Sequence, residues 1–372
     1  MIAAAPRILV SAGEPSGDLH GAEVIRALRL RWPDARIDAV GGPRMAAAGA
    51  RVRYPMERLS AIGLVEIVGK LPQHIGLYRE LREAFRRREY DLYLPIDYPG
   101  FHVRVARAAR RAGTRVLYYI PPQLWAWRPQ RARALEAAVD RLAVILPFEP
   151  AFFATVGLVA TYVGHPLLDR PPPPGRAAAR AALGLPVEAR VLAVFPGSRR
   201  QEVRNHWAIF TAAAARLRDE DRCDAVVVAA TPAGAYPNPD GALLADDPRL
   251  VLAAADACLA KSGTTTLEAA MADVPMVVAY RANPLTYAVA RRVMTVKWVS
   301  LVNLIAGREI VPELLQDELT VDGLVSALRP LLDAGSPARR AQLDGLATVR
   351  SDLGTPGAAR RVAALAAEVL GA

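Results

Sequence analysis

Three stretches of this chain combine residue types able to hold a charged, hydroxyl-bearing ligand. Pro196-Gly197-Ser198-Arg199 closes the apolar run Val191–Phe195 and precedes a helical pattern with Trp207, Phe210 and Leu217 on one face, which reads as a strand-to-helix turn. Gly197 lets backbone approach a ligand, the helix that follows offers unpaired N–H groups, and Arg199 adds a permanent cationic fork. Together they suit a diphosphate. Lys261-Ser262-Gly263-Thr264-Thr265-Thr266-Leu267-Glu268 opens another helix with small hydroxyls and backbone donors for phosphate oxygens. Glu268, one turn in, suits the two hydroxyls of a ribose, and the lack of Walker lysine spacing argues against nucleotide hydrolysis. Asp97 follows the apolar run Leu92–Ile96 and precedes Tyr98-Pro99-Gly100-Phe101-His102. A carboxylate there is a candidate general base; a turn-stabilising aspartate is the alternative.

Further polar clusters follow other strand-like runs. Ser11-Ala12-Gly13-Glu14-Pro15-Ser16-Gly17-Asp18 is glycine-rich, yet its spacing is not that of a dinucleotide fingerprint. Glu14 and Asp18 instead offer acceptor oxygens for a sugar hydroxyl, with a capped helix start as the alternative. Gln123, Trp125 and Trp127 supply an amide and aromatic faces suited to a sugar ring, although paired tryptophans also serve packing. A block from Val299 to Glu309, ending near Glu313 and Gln316, brackets Gly307 with polar side chains.

These residues need a scaffold, and the pattern supplies one. Strands are expected at Arg7–Ala12, 37–40, 91–96, 115–120 and 141–146, with a helix over 21–32. Alternation resumes with a helix at 176–183, a strand at Val191–Phe195, a helix after Glu202, a strand at 225–230, and βα units near Ala257–Lys261, Met276–Tyr280 and 298–302. Repeated βα units imply parallel sheets covered by helices. Asp169-Arg170-Pro171-Pro172-Pro173-Pro174-Gly175 is an extended spacer. The expected architecture is therefore α/β, two doubly wound Rossmann-like domains facing each other across a cleft. The boundaries are 1–168, a linker at 169–175, 176–356, and a terminal helix at 357–372 that packs on either domain.

Composition narrows the function classes. The 372 residues are 52% hydrophobic and carry a net charge of +10, almost all of the positive charge being arginine. The arginines are dispersed along helix-like segments without a nucleic-acid motif, so phosphate-bearing ligands or an anionic membrane explain the charge better. Cys223 and Cys258 lack disulfide or metal-ligand spacing, which fits a reducing cytoplasm. The first ten residues are not a signal peptide. Residues 142–164 hold a single charge, Glu149, but Pro147, Pro150 and Gly157 break them into strand, loop, short helix and strand rather than a membrane span.

Taken together, the chain resembles the lipid-A-disaccharide synthases. The resemblance rests on eight motifs in order from about Ile8 to about Leu332: Gly13-Glu14-x-Ser16-Gly17-Asp18, Asp97-x-Pro99 with Phe101, Trp125-Ala126-Trp127-Arg128, Leu146-Pro147-Phe148-Glu149, Gly164-His165-Pro166, Pro196-Gly197-Ser198-Arg199, Ser262-Gly263-Thr264, and Asn303-Leu304-x-Ala306-Gly307-Arg308-Glu309. It implies a GT-B fold and an inverting transferase needing no metal or other cofactor. Such an enzyme joins UDP-2,3-diacylglucosamine to 2,3-diacylglucosamine 1-phosphate through a β(1→6) bond, releasing UDP. The resemblance casts Asp97 as the base and Arg199 as the stabiliser of the departing diphosphate. Gly197, Ser198, Ser262, Gly263, Thr264, Thr265, Glu268, Asn303 and Gln316 lie toward UDP, and Glu14, Ser16, Gly17, Asp18, Phe101, Gln123, Trp125 and Trp127 toward the acceptor. Residues 62–75, with Val65, Val68 and Leu71, correspond to an apolar surface for acyl chains. A cytoplasmic monomer or homodimer, peripheral on the inner face of an anionic membrane, is the implied setting, with no nucleic-acid partner.

Two departures stand out. Gly100-Phe101-His102 replaces the family's usual Asp-Phe-Asn, which questions the acceptor contacts beside Asp97. Residues 231–259 are short and rich in proline and glycine, as though part of the nucleotide subsite were missing. Two other readings therefore stay open: a UDP-sugar epimerase of the same fold, for which His206 is the histidine nearest Arg199, and a catalytically weak sugar-nucleotide or membrane-surface binding protein.

Overall fold

The structure, a computed structural model, describes residues 5–59, 71–126, 132–232, 234–237, 241–283, 287, 292 and 294–371. Two compact units are present, residues 1–170 with 355–372, and residues 171–354. In the first, β1 (Arg7–Ala12), α1 (Pro15–Arg31), β2 (Arg36–Gly41), α2 (Pro43–Ala47), β3 (Arg51–Pro55), α3 (Leu71–Arg86), β4 (Leu92–Ile96), α4 (Pro99–Arg111), β5 (Arg115–Tyr119), α5 (Ala132–Glu136), β6 (Arg141–Val144), α6 (Glu149–Ala154) and β7 (Ala160–Tyr162) build a parallel sheet ordered β3-β2-β1-β4-β5-β6-β7. β4 and the Ile8–Val10 centre of β1 are apolar because both faces are covered. Ile8 and Val10 join one core with Ile25 and Leu28 of α1, while Leu9 points into the other with Leu81, Phe85 and Tyr93, the period-two alternation of a strand.

The second unit runs α7 (Arg176–Ala182), β8 (Val191–Phe195), α8 (Arg200–Asp219), β9 (Ala225–Ala229), β10 (Leu243–Ala245), α9 (Pro248–Ala254), β11 (Ala257–Lys261), α10 (Thr265–Met271), β12 (Met276–Tyr280), α11 (Leu301–Ala306), β13 (Glu313–Leu315), α12 (Val321–Leu332) and α13 (Pro337–Asp352). Its parallel sheet is ordered β10-β9-β8-β11-β12-β13. Phe210, Ala213, Ala214 and Leu217 of α8 are buried against it, which is why that helix forms on its apolar stripe. The last helix, α14 (Ala358–Leu370), returns to the first unit, with Val362 and Ala366 fully buried in the core that holds α1 and β5.

The two sheets share one topological property. Strand order reverses between β1 and β4 in the first, and between β8 and β11 in the second. These neighbours leave their sheet in step, Ala12 beside Ile96 and Phe195 beside Ala260. The loops that follow run to opposite faces, so a crevice opens at the carboxyl ends of each pair.

Three sequence expectations change. α1 begins at Pro15 rather than near residue 21, because Pro15 pre-sets the first turn after an extended Glu14. The strand expected at 298–302 is instead the capped start of α11, where the Ser300 hydroxyl accepts from Asn303 N at 3.2 Å. Asp18 is not available to a sugar hydroxyl: only 2% exposed, its carboxylate accepts from the backbone N–H groups of Gly42 (2.8 Å), Arg44 (3.1 Å) and Met45 (3.2 Å). It ties α1 to the turn between β2 and α2.

Removing that carboxylate strands buried donors, each costing about 1–3 kcal/mol. Asp18→Ala should therefore destabilise the protein by about 2–4 kcal/mol in urea unfolding, with Asp18→Asn losing less. Unchanged unfolding midpoints would show that the three bonds carry no net stability.

Candidate active site

Asp97 stands at the end of β4, in the crevice of the first unit. It and Tyr98 both take left-handed backbone angles, φ 51° and 53°, which cost non-glycine residues on the order of 1 kcal/mol or more each. The surroundings over-determine them. The Asp97 carbonyl accepts from Tyr118 Oη at 2.8 Å and from His102 Nδ1 at 2.7 Å, and its N–H donates to the Tyr119 carbonyl at 3.1 Å. Tyr98 Oη donates to the Leu59 carbonyl at 2.6 Å. The Tyr98 ring lies so close to Gly13 that a Cβ there would approach it to 2.5 Å, so that position requires glycine.

His102 is fully buried, with Nε2 2.9 Å from Ser11 Oγ. Burial pushes its imidazole down to about 4 despite backbone hydrogen bonds that work the other way. A neutral ring fits both contacts in one tautomer, Nδ1–H donating to the Asp97 carbonyl and Nε2 accepting from Ser11. His102 is thus a backbone support rather than an acceptor contact. The Asp97 side chain keeps an open face to solvent while packed protein lies close behind it. That desolvation, opposed by the Tyr98 N–H and reinforced by the nearby Glu14 carboxylate, holds its carboxyl above the ordinary aspartate value.

The other acceptor-side residues divide. Glu14, Ser16 and Gln123 are exposed, whereas Gly17 is buried where an added Cβ would sit 2.9 Å from that of Ala12. Phe101 is buried edge-on to His74, with ring centroids 5.7 Å apart, so it packs rather than lining an open surface. Trp125, expected to face a sugar ring, is buried too, and its indole N–H donates to Glu149 Oε1 at 3.0 Å. Trp127, Val65 and Val68 lie outside the described residues. Leu71 opens α3 and is 52% exposed.

In the second unit, Gly197 adopts φ 138°, and the loops after β8 and β11 meet around a cavity of about 300 Å³. Its lining includes Gly197, Ser198, Lys261, Ser262, Gly263, Thr264, Thr265 and Glu268. The N–H groups of Ser198 and Arg199, expected to await a phosphate, are already taken: Glu202 Oε2 accepts them at 3.0 and 3.3 Å. Glu202 is the partner in a capping box on α8. The Arg199 side chain is 75% exposed. Within residues 231–259, β10 and α9 form, and Thr231, Pro232, Asp246 and Pro248, with Ala230 just before them, line the same cavity.

Asn303 and Gln316, expected near a nucleotide, are structural. Buried Asn303 accepts from Ile310 N and Val311 N and donates to the Val311 carbonyl and Glu313 Oε1, all within 3.0 Å. Gln316 binds both backbone groups of Ala282. His206, the histidine an epimerase reading would employ, is fully buried. Nδ1 faces the Glu202 carbonyl at 2.7 Å and Nε2 accepts from Arg281 N at 2.9 Å, so neither nitrogen is free to move a substrate proton. The functional geometry also includes Ser11, Tyr118, Glu202 and Lys261, none given a side-chain role from sequence, and His102, which the sequence marked only as a departure. Glu202 had a signal, its capping-box spacing from Arg199. Ser11, Tyr118 and Lys261 depend on contacts distant in the chain.

Two parallel-sheet units, each with a loop-lined crevice at its strand-order reversal, give the GT-B type of fold, which glycosyltransferases share with UDP-sugar epimerases. Among proteins of that fold the chain belongs to the lipid-A-disaccharide synthetase family, which matches residues 8–367. A lipid-A-disaccharide synthase of Myxococcus xanthus (strain DK1622) is 40% identical over 377 residues, covering 98% of each chain. Among solved structures, Arabidopsis thaliana UGT89C1 complexed with UDP superposes with a TM-score of 0.63 at 16% identity, over 98% of this chain and 100% of that one. A putative UDP-N-acetylglucosamine 2-epimerase from Listeria monocytogenes gives 0.66 at 12% identity, over 98% and 96%. At such identities these likenesses establish the fold, and the family match separates transferase from epimerase.

The buried Glu149 makes a pH prediction. Burial pushes its carboxyl up to about 7, outweighing the N–H bonds from Leu146, Trp125 and Ile145 that favour the anion. Folding therefore favours the protonated form. Its contribution is complete below the unfolded value near 4.5 and is lost as pH rises through about 7, a decline on the order of 2–3 kcal/mol. Urea unfolding across pH 5–8 should show that decline, and Glu149→Gln should flatten it. An equal slope in the variant would place the titration elsewhere.

Proposed function

We propose that this protein transfers a 2,3-diacylglucosamine unit from its UDP derivative to the 6-hydroxyl of 2,3-diacylglucosamine 1-phosphate, the reaction that the family resemblance implies. The observation that carries the reading is Asp97: a carboxylate with an open face at the switch point of the first sheet, held by Tyr118 and His102 in a strained turn. In this reading the acceptor belongs to the first unit, with Glu14 and Ser16 exposed nearby. The donor's nucleotide belongs to the cavity of the second, where Glu268 suits the ribose and the Ser262–Thr265 loop the diphosphate. Asp97 takes the hydroxyl proton as the acceptor oxygen bonds to the donor's anomeric carbon. The bond from that carbon to the diphosphate oxygen breaks, UDP carries away the electron pair, and configuration inverts. Arg199, exposed on the turn that follows the lining residues Gly197 and Ser198, exchanges its loose ion pair with Glu202 for the departing phosphates.

A membrane surface is the natural source of both acylated substrates. Exposed Leu71 and Ile75 on α3, followed by Arg79, Arg82 and the Arg86-Arg87-Arg88 run, suit peripheral contact with anionic lipid. No helix among the described residues is long and apolar enough to cross a membrane.

Asp97→Asn keeps the shape and removes the proton acceptor. With both acylated substrates, turnover should fall by about 10²-fold or more while UDP affinity stays near the parent value. Because the Asp97 carboxyl sits above its ordinary value, the parent's rate should fall on acidification at a higher pH than a free aspartate would give, and the variant should lose that limb. A variant as fast as the parent would assign the base to another carboxylate, Glu14 first. Absence of disaccharide and UDP from the parent protein would remove the transferase reading.

A further inference from the structure

The donor cavity has an unassigned cation. Among the described residues, its charged lining side chains are Asp246, Lys261 and Glu268, so Lys261 is the positive one. Lys261 is the last residue of β11, at the switch point beside β8, and its side chain is 19% exposed. Nζ lies 2.9 Å from Glu202 Oε1 and 5.8 Å from the centroid of the Tyr280 ring. The other oxygen of Glu202 holds the Ser198 and Arg199 N–H groups. One carboxylate thus fixes both the turn after β8 and the ammonium from β11.

Charge decides what this pair does. Without Lys261, the Pro-Gly-Ser-Arg turn carries Arg199 against Glu202, 3.5 Å apart, and is neutral. A nucleoside diphosphate sugar brings about two negative charges and gains another as it leaves, and such an anion needs fixed, charge-assisted donors. Arg199 is mostly in solvent, where screening weakens its pull. Resting on the donor reading above, we infer that Lys261 is a second cation that contacts the donor's diphosphate, in place before the phosphates arrive, and that Glu202 holds its ammonium at the cavity wall. An ammonium has three donors. Glu202 engages one and two are left to aim at phosphate oxygens, so binding does not require the pair to break. Glu202 also keeps the turn in shape while it shares the charge.

The test titrates the parent, Lys261→Met and Lys261→Arg with UDP and with uridine. Methionine keeps the aliphatic stem against Tyr280 and removes the charge. UDP affinity should fall by about 10- to 100-fold in Lys261→Met with uridine unaffected, and Lys261→Arg should recover part of the loss. Unchanged UDP affinity in Lys261→Met, or an equal loss for uridine, would overturn the assignment, the latter by showing a packing role. The unsubstituted protein gives an independent reading. UDP, and not uridine, should shield Lys261 from amine acetylation followed by mass spectrometry, and equal labelling in both would overturn the contact. A parent protein that binds uridine but gains nothing from the diphosphate removes the donor reading itself, an outcome distinct from UDP binding that ignores Lys261.

Discussion

The reversal of strand order in each parallel sheet is the constraint on which the rest depends. Parallel strands feed their following loops toward the same edge, and only where successive crossovers turn to opposite faces do two loops part and leave space. Both units use that space: the Gly13–Asp18 and Asp97–His102 segments follow β1 and β4, and the Gly197–Arg199 and Ser262–Thr265 segments follow β8 and β11. Polar and glycine residues gather there because the flanking strands, buried on both faces, have no room for them.

The two crevices are stabilised differently. Around Asp97 the support is neutral: a tyrosine hydroxyl and an uncharged imidazole converge on its carbonyl, a serine hydroxyl holds the far side of that imidazole, and the carboxyl's charge is left to burial, the Tyr98 N–H and Glu14. Around Gly197 the support is ionic. Burial works against the Glu202 charge, yet Lys261, the Ser198 N–H and Arg199 together hold its carboxyl below the ordinary glutamate value. A site that moves a proton needs a carboxyl that accepts one, and a site that holds phosphate needs charges that persist.

Much of this was legible in the sequence. Long apolar runs ended by glycine and polar residues marked β1, β4, β8, β11 and β12, and therefore the strand ends on which Asp97 and the Ser262–Thr265 loop stand. The eight ordered motifs carried the family. What they did not separate was a motif residue that meets ligand from one that holds backbone. Asp18, Trp125, Asn303 and Gln316 are polar or aromatic residues of the kind that bind sugars and nucleotides, yet each is spent on its own chain. The partners of Asp18, Trp125 and Gln316 are fixed by tertiary approach, as are Ser11 and Tyr118 for the Asp97 turn, and no local spacing encodes that; Asn303 instead closes the loop to residues 310–313. The short strands β3, β10 and β13 escaped for a related reason, since half-exposed edge segments lack the continuous apolar run of central ones.

The return of α14 to the first unit bears on how the chain matures. Val362, Leu365 and Ala366 complete the core shared with α1 and β5, so part of one side of the first sheet stays uncovered until residues 358–370 have been made. A nascent chain leaving the ribosome can assemble the whole second unit while Ile25 and Leu28 still lack part of their packing. Exposed apolar surface during synthesis is what chaperones recognise and what aggregation exploits. Closing contacts between the two ends of a long chain is also slow, because the loop entropy must be spent before the burial repays it. α14 thus acts as the latch of the first unit, and its alanine-rich composition, with high intrinsic helicity, lets that latch form locally before it docks.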